Sequence, residues 1–341
     1  MVLTVITING HLHQHLYPWT GLNLFELEKE FNQFGIQLNF EEITELVKTN
    51  TFLENRTIWC SSSQHPDEKK FIENYLRLIQ EKNSFIVSEN LQRAHEDKGF
   101  AYLLGEKHGI NQVESIYIDN YTKINDSFEG KTEKAVVKHT HGSSSQGVFL
   151  LEKNQKKYKH GIINYPKQRL NIVRLLKDYF GLLITKRISF DLYCENKKYV
   201  KKHRNRSLLV QRFIPNLKYD YKVLVFYDRA VILKRHIKKR DFKASGSGLF
   251  GPVTNLNTES LQLLNEAKRT AEKLDAPFIS IDFLIDKNTP KIIEYQVTHF
   301  GPATVLMNPG YFIINSKKWI YINNENALEE FYSYAIFNFL K

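Results

Sequence analysis

Over residues 1 to about 90, the apolar runs LTVITI, RTIWC and SFIVS alternate with segments of helical period, LNLFELEKEFNQFG and DEKKFIENYLRLIQEK. Strand and helix patterns in alternation predict a small α/β domain. Gly35 stops the first helix, and residues 36–40 follow as a strand. A short helix is expected over residues 98–107, closed by Gly109, and SIYIDNYTKINDSFEGKTEK reads as a linker. A second block starts at Ala135 with strand AVVKH, a Gly/Ser loop and strand GVFLLEK. It continues through a helix-like PKQRLNIVRLLKDYFGLL and a basic stretch to strand SLLVQRF. The last block holds the hairpin YKVLVFYDRAVILKRHI, the glycine-rich loop RDFKASGSGLFGP and the amphipathic helix TESLQLLNEAKRTAEKL. A second hairpin, SIDFLIDKNTPKIIEYQ, and a terminal helix ENALEEFYSYAIFNFL complete it, the aromatic stretch 331–339 reading as docked in a core.

A chain of 341 residues with 42% hydrophobic content can bury real cores in one large domain or two to three smaller ones. The apolar start MVLTVITING lacks a cationic flank and a cleavage site, and polar HLHQH follows it, so it is expected to be a buried first strand. No apolar window is long enough for a membrane span. Cys60 and Cys194 are too few for a disulfide framework, and the cytoplasm is the expected location. The formal charge of +11 is concentrated in residues 153–206, where sixteen Lys and Arg stand against Asp178, Asp191 and Glu195. Such a segment favours an anionic partner or forms a solvated basic face. It carries no nucleic-acid-binding signature.

The hairpin of residues 280–296 concentrates acidic chemistry. With the turn at Asp286 to Pro290 and pairing centred on Asn288, Asp282 lies opposite Glu294, and Gln296 shares Glu294's face. Two facing carboxylates repel unless a cation lies between them. Oxygen donors of this kind suit Mg2+, the alternative being a solvated acidic edge. Lys138 ends a strand and precedes the small-residue loop from Gly142 through Ser143, Ser144 and Ser145 to Gly147, which can set backbone N–H groups and hydroxyls against phosphate. No Lys-Ser/Thr follows, so it is not a Walker A loop, nor does it spell a nucleophile elbow. A two-residue turn at Asp228-Arg229 would place Lys222 opposite Arg235, a pair best explained by an anion between them or by simple exposure. Gly246, Gly248 and Gly251 match G-x-G-x-x-G without the strand and helix that a dinucleotide site needs; a mobile loop with Lys243 and Ser245 pointing in fits better. His11, His13 and His15 alternate as on one strand face. Without a fourth ligand they read as loop residues lining a substrate pocket.

Taken in order, a lysine with a glycine-rich loop between strands, a strand ending in LVQRF, a basic hairpin and D…E-x-Q on an acidic hairpin resemble the ATP-grasp family over residues 90–301. The resemblance implies an α/β (α+β) ATP-grasp fold in three parts. These are a pre-ATP-grasp α/β domain (1–110), a lid subdomain with a basic insertion (111–212) and a C-terminal antiparallel-sheet subdomain (213–341). It also implies that Lys98 and Lys138 contact ATP and that residues 142–147 form the lid loop. Gln211 with Arg212, Phe213 and Ile214 would read adenine, in place of the usual glutamate, and Asp220 would hold the ribose. Asp282, Glu294 and Gln296 would hold Mg2+, two ions in all, with Mn2+ as a substitute and Gln in place of the common Asn. Where some members carry an arginine this chain has Ser280, so Arg235 or Lys243 would stabilise the tetrahedral intermediate. The implied activity is an ATP-dependent carboxylate–amine ligase working through an acyl phosphate. Its partners are an anionic small-molecule, peptide or sugar carboxylate and an amine acceptor, bound near His11 to Trp19 and Thr298 to Asn308, with a homodimer as one option. The competing readings are a phosphotransferase of the same fold, a non-catalytic nucleotide module and a nucleic-acid binder resting on residues 153–206 alone.

Overall fold

The structure, a computed structural model, describes residues 1–13, 21–63, 66–119, 121–124, 134–140, 147–152, 207–239, 241–244, 247–298, 300, 303–325 and 327–341. The first block builds a four-stranded parallel sheet from β1 (Val2–Thr7), β2 (Gln37–Glu42), β3 (Thr57–Cys60) and β4 (Ser84–Phe85), in the order β2-β1-β3-β4. Between them run α1 (Leu24–Gln33), α2 (Ile43–Lys48) and α3 (Pro66–Ile79). Asn23 starts α1 by accepting from the backbone of Phe25 and Glu26, and Gly35 at φ +69° ends it, a conformation that carries no steric cost without a Cβ. Two more helices, α4 (Glu89–Glu96) and α5 (Lys98–Lys107), meet at Asp97, whose carboxylate caps α5 by accepting from Gly99 and Phe100 N–H.

Strands β5 (Ser115–Ile118), β6 (Lys134–His139), β7 (Val148–Glu152) and β8 (Leu208–Arg212) form a second sheet, antiparallel, in the order β5-β8-β6-β7. The segment expected as a linker therefore contains a strand. SIYI is only four residues long and pairs with β8, more than 80 residues downstream, so no local partner announces it.

The third sheet has seven strands. β9 (Tyr219–Phe226), β10 (Arg229–His236), β11 (Phe250–Pro252), β12 (Phe278–Asp286), β13 (Thr289–Gln296), β14 (Gly310–Asn315) and β15 (Lys318–Asn323) run β13-β12-β9-β10-β14-β15, with β11 also on β10. The end of the glycine-rich loop is thus a short strand, and YFIIN and KWIYIN form a further hairpin turning at Ser316-Lys317, both at positive φ. Helix α6 (Thr258–Lys273) starts at a capping box of Asn257 and Ser260, α7 spans Ala303–Leu306, and α8 (Leu328–Leu340) closes the chain.

One apolar core joins the first and third sheets. Leu3, Val5, Phe31 and Trp59 pack with Phe226, Phe278 and, from α8, Phe331 and Tyr332. Trp59 lies 6.1 Å from Phe278 and 5.4 Å from Tyr332 between ring centroids. The terminal helix is docked as expected, and polar links fasten it: Arg229 to Glu330, and Tyr334 Oη to Asp228. The second sheet joins the third through Val113, Ile214 and Leu284 and through reciprocal backbone bonds, Val113 N–H to Ile292 and Ile292 N–H to Asn111. No helix among the described residues is long and apolar enough to cross a membrane.

Candidate active site

The pairing of four neighbouring strands sets a grid of side chains on one face of the third sheet. One row reads Leu233, Lys222, Asp282, Glu294 across β10, β9, β12 and β13; the row beside it holds Arg235 opposite Asp220; the row on the other side runs Leu224, Ser280, Gln296. Directly opposed residues share a face, and so do residues two apart. Asp282 therefore does face Glu294, with Gln296 on the same face. The route differs from the one expected. The turn is Lys287-Asn288, both at positive φ, with Asp286 and Thr289 already paired, and an irregularity at Ile293 shifts the register by one to restore the 282–294 pair.

The basic hairpin turns one residue earlier than expected, at Tyr227-Asp228, because Tyr227 takes φ +60°. Lys222 consequently faces Leu233 and not Arg235. Arg235 faces Asp220. The two cations are separated by carboxylates: Lys222 Nζ lies 3.1 Å from Asp282 Oδ1 and donates to Ser280 Oγ at 2.8 Å. Arg235 Nη2 lies 3.0 Å from Asp282 Oδ2 while its Nε donates to Asp220 at 2.6 Å. Burial pushes the Asp282 carboxyl up, but Arg235 and Lys222 together outweigh it and hold the group at about 2. Asp220, sharing the same guanidinium, is raised by burial to about 6, an increase that Arg235 offsets in part.

Two more lysines reach this face. Lys98, the first residue of α5, holds its Nζ 3.7 Å from Glu294, while its backbone N–H donates to the carbonyl of Thr140, just after β6. Gly99 permits that approach, since a Cβ there would fall 2.4 Å from the Tyr117 ring on β5. Lys138 on β6 is buried and donates to the carbonyl of Ile293, the residue at the irregularity of β13. Burial lowers its pKa to about 8, with Glu294 pulling the other way.

The expected adenine-reading strand lies at the same junction. Gln211 is buried and donates to Ser115 Oγ, Arg212 pairs with Asp286, and Ile214 packs into the cluster with Val113 and Leu284, with Phe213 between them in the chain. Lys243 holds its Nζ 5.5 Å from the Phe242 ring. Gly142, Ser143, Ser144 and Ser145, along with His15, Ser245 and the basic segment 153–206, lie outside the described residues. Gly147 is described, at φ +76° and against the His139 ring.

His11 and His13 do not alternate on a strand. β1 ends at Thr7, an Asn9-Gly10 turn follows, and His13 at φ +67° is buried 5.2 Å from the Trp59 ring and 5.3 Å from Tyr332. Burial drives its pKa to about 3. Sequence reasoning missed His95. On α4 its Nδ1 accepts from Thr298 N–H at 3.2 Å, tying that helix to the segment after Gln296, and burial, reinforced by Lys69, His13 and Lys98, lowers its pKa to about 3. No sequence signal marks a lone helical histidine for this role.

The oxygen donors Asp282, Glu294 and Gln296, gathered on one sheet face, fit a hard cation such as Mg2+. Among the described residues no group of three or more His, Cys, Asp and Glu side chains forms a metal cluster; the set here is two carboxylates and a carboxamide. What relieves the repulsion between Asp282 and Glu294 in this structure is Lys222, Arg235 and Lys98.

No family model and no curated protein matches the sequence. Solved structures do match. The crystal structure of D-cycloserine synthetase DcsG aligns over 100% of both chains at 10% identity, with a TM-score of 0.54. The structure of the ATP-grasp ligase PsnB complexed with minimal precursor aligns over 100% of this chain and 98% of that one, at 10% identity and a TM-score of 0.54. N5-Carboxyaminoimidazole synthetase from Staphylococcus aureus complexed with ADP aligns over 86% of this chain and 69% of that one, at 11% identity and a TM-score of 0.51. A parallel α/β sheet, a four-stranded antiparallel sheet and a large antiparallel sheet that carries the acidic hairpin, matched over 86–100% of the chain by these structures, give this chain the ATP-grasp fold.

Proposed function

We propose that the chain is an ATP-dependent carboxylate–amine ligase that joins its substrates through an acyl phosphate. The observation that supports it most is the convergence of Lys98, Lys138, Lys222 and Arg235 with Asp220, Asp282 and Glu294, where the second sheet meets the third. We divide the chain into residues 1–110, a lid of 111–212 and a catalytic part of 213–341. The solved relatives of the same fold include a synthetase complexed with ADP and a ligase complexed with a precursor, in keeping with this reading.

In this reading Gln211, with the backbone of Arg212 to Ile214, reads the adenine, and Asp220 lies toward the ribose. Lys98, Lys138 and the 142–147 loop grip the phosphates. A Mg2+ or Mn2+ ion held by Asp282, Glu294 and Gln296 would neutralise phosphate charge. The substrate carboxylate attacks the γ-phosphorus in line, ADP departs with the bonding pair, and Lys222 and Lys98 stabilise the charge that develops on the transferred group. An amine then adds to the acyl carbon, phosphate leaves and the amine loses its proton. Arg235, on the strand beside Lys222, stabilises the tetrahedral oxyanion, taking the place open at Ser280. No protein nucleophile is required. The substrates lie between the segment around His13 and that after Gln296, which His95 holds in place through Thr298.

The test is product analysis of the purified protein with Mg-ATP and pooled carboxylates, amino acids and amino sugars. ADP with a condensation product, both lost in Glu294→Ala, is expected. ADP with a stable phosphorylated product would replace the ligase by a phosphotransferase.

A further inference from the structure

We infer that Lys222 and Arg235 act as built-in counterions that close the acidic hairpin to a free divalent cation, so that metal enters only together with the nucleotide's phosphates. The inference rests on the nucleotide reading of this site. Each oxygen of Asp282 is ion-paired, Oδ1 with Lys222 at 3.1 Å and Oδ2 with Arg235 at 3.0 Å. Neither cation depends on Asp282 alone for its position. Lys222 is also held by Ser280 Oγ at 2.8 Å, and Arg235 by Asp220 at 2.6 Å. Glu294, the other carboxylate of the hairpin, faces Lys98 at 3.7 Å.

The balance of charge sets the sign. Four cations, Lys98, Lys138, Lys222 and Arg235, stand against three carboxylates, Asp220, Asp282 and Glu294, which leaves the described groups of the site at +1. A bare dication approaching that cluster is repelled and must also displace a salt bridge. A triphosphate is attracted by the same excess. Once phosphate oxygens are present, Lys222 can exchange Asp282 for them by rotating its flexible stem, and Asp282 Oδ1 is released as a metal ligand. Metal and nucleotide then bind with positive coupling, each strengthening the other by the same factor.

Mn2+ binding followed by electron paramagnetic resonance, with and without the non-hydrolysable analogue AMP-PNP, tests this directly. The wild-type protein is expected to bind Mn2+ weakly alone and about a hundred-fold more tightly with AMP-PNP. Lys222→Met frees Oδ1 and removes one positive charge, so its nucleotide-free Mn2+ affinity is expected to rise about ten-fold. If that variant does not fold, Lys222→Gln, which keeps a polar stem beside Ser280 and removes the charge, is titrated in its place with the same expectation. Equal Mn2+ affinity with and without AMP-PNP, or a folded Lys222→Met with no gain, overturns the inference and leaves the nucleotide reading standing. Failure of AMP-PNP to bind under any metal condition removes both.

Discussion

Mild acid should destabilise this protein through His13, and the size of the effect can be worked from its surroundings. The ring is 5% exposed, packed between Trp59 and Tyr332, and burial lowers its pKa from 6.5 to about 3. Between those values the unfolded chain takes up a proton that the folded protein excludes. The contribution is therefore complete above pH 6.5 and is lost as the pH falls towards 3. At about 1.4 kcal/mol per unit, lowering the pH from 7 to 5 removes about 2 kcal/mol. The assay is urea unfolding of wild type and His13→Phe at pH 7, 6 and 5. Phenylalanine keeps the ring and cannot titrate. Groups that do not interact with His13 contribute to both proteins and cancel in the difference, as does any pH-independent strain at φ +67°, while His95, whose pKa His13 helps to lower, is followed separately by NMR titration. The gap between the two proteins should shift by about 2 kcal/mol in the variant's favour across those two units. A gap independent of pH, or a measured His13 pKa near 6.5 in the native protein, would refute the reasoning.

Glu294→Ala should reduce ATP turnover by about a hundred-fold or more while the circular dichroism spectrum stays native, since the side chain lies on an outer strand and is 28% exposed. Turnover at the wild-type rate would remove Glu294 from the site. Arg235→Met leaves Asp220 and Asp282 to share Lys222, and should cost about 3–5 kcal/mol in denaturant unfolding, part of it recovered by adding Asp220→Asn. An unchanged unfolding midpoint would show that the ion triad carries no weight. Gly310→Ala would place a Cβ 2.1 Å from the Ile322 carbonyl oxygen across the β14–β15 pair, a clash with backbone; a loss of about 2 kcal/mol or more is expected by thermal unfolding, and an unshifted melting temperature would contradict that packing.

How much of this was legible depended on whether the deciding partner was near in sequence. The parallel first sheet followed from local periodicity, and so did α1, α6 and the terminal helix. β5 did not, because SIYI gains its identity as a strand from β8. The β14–β15 hairpin carried a readable alternation around Ser316-Lys317 and went unread because turn rules look for Asn or Gly. The same rules misplaced the basic hairpin by one residue, since an aromatic residue at φ +60° is not a turn signal. That single step decides the chemistry, because it puts a carboxylate opposite Arg235.

The Asp282–Glu294 pair shows the converse, a right answer reached through two departures that cancel. The turn sits half a residue earlier than a centre at Asn288, and the irregularity at Ile293 restores the register. The irregularity has a second consequence that no strand alternation carries. It leaves the Ile293 carbonyl out of the paired register and accepting from Lys138, so a buried lysine of the second sheet is anchored beside the carboxylates it is proposed to serve. Residue types thus marked where the candidate site lies, while its connectivity was set by backbone events at Tyr227 and Ile293. Those two positions decide which charge meets which, and through that the balance of charge that the site presents to an anion or a cation.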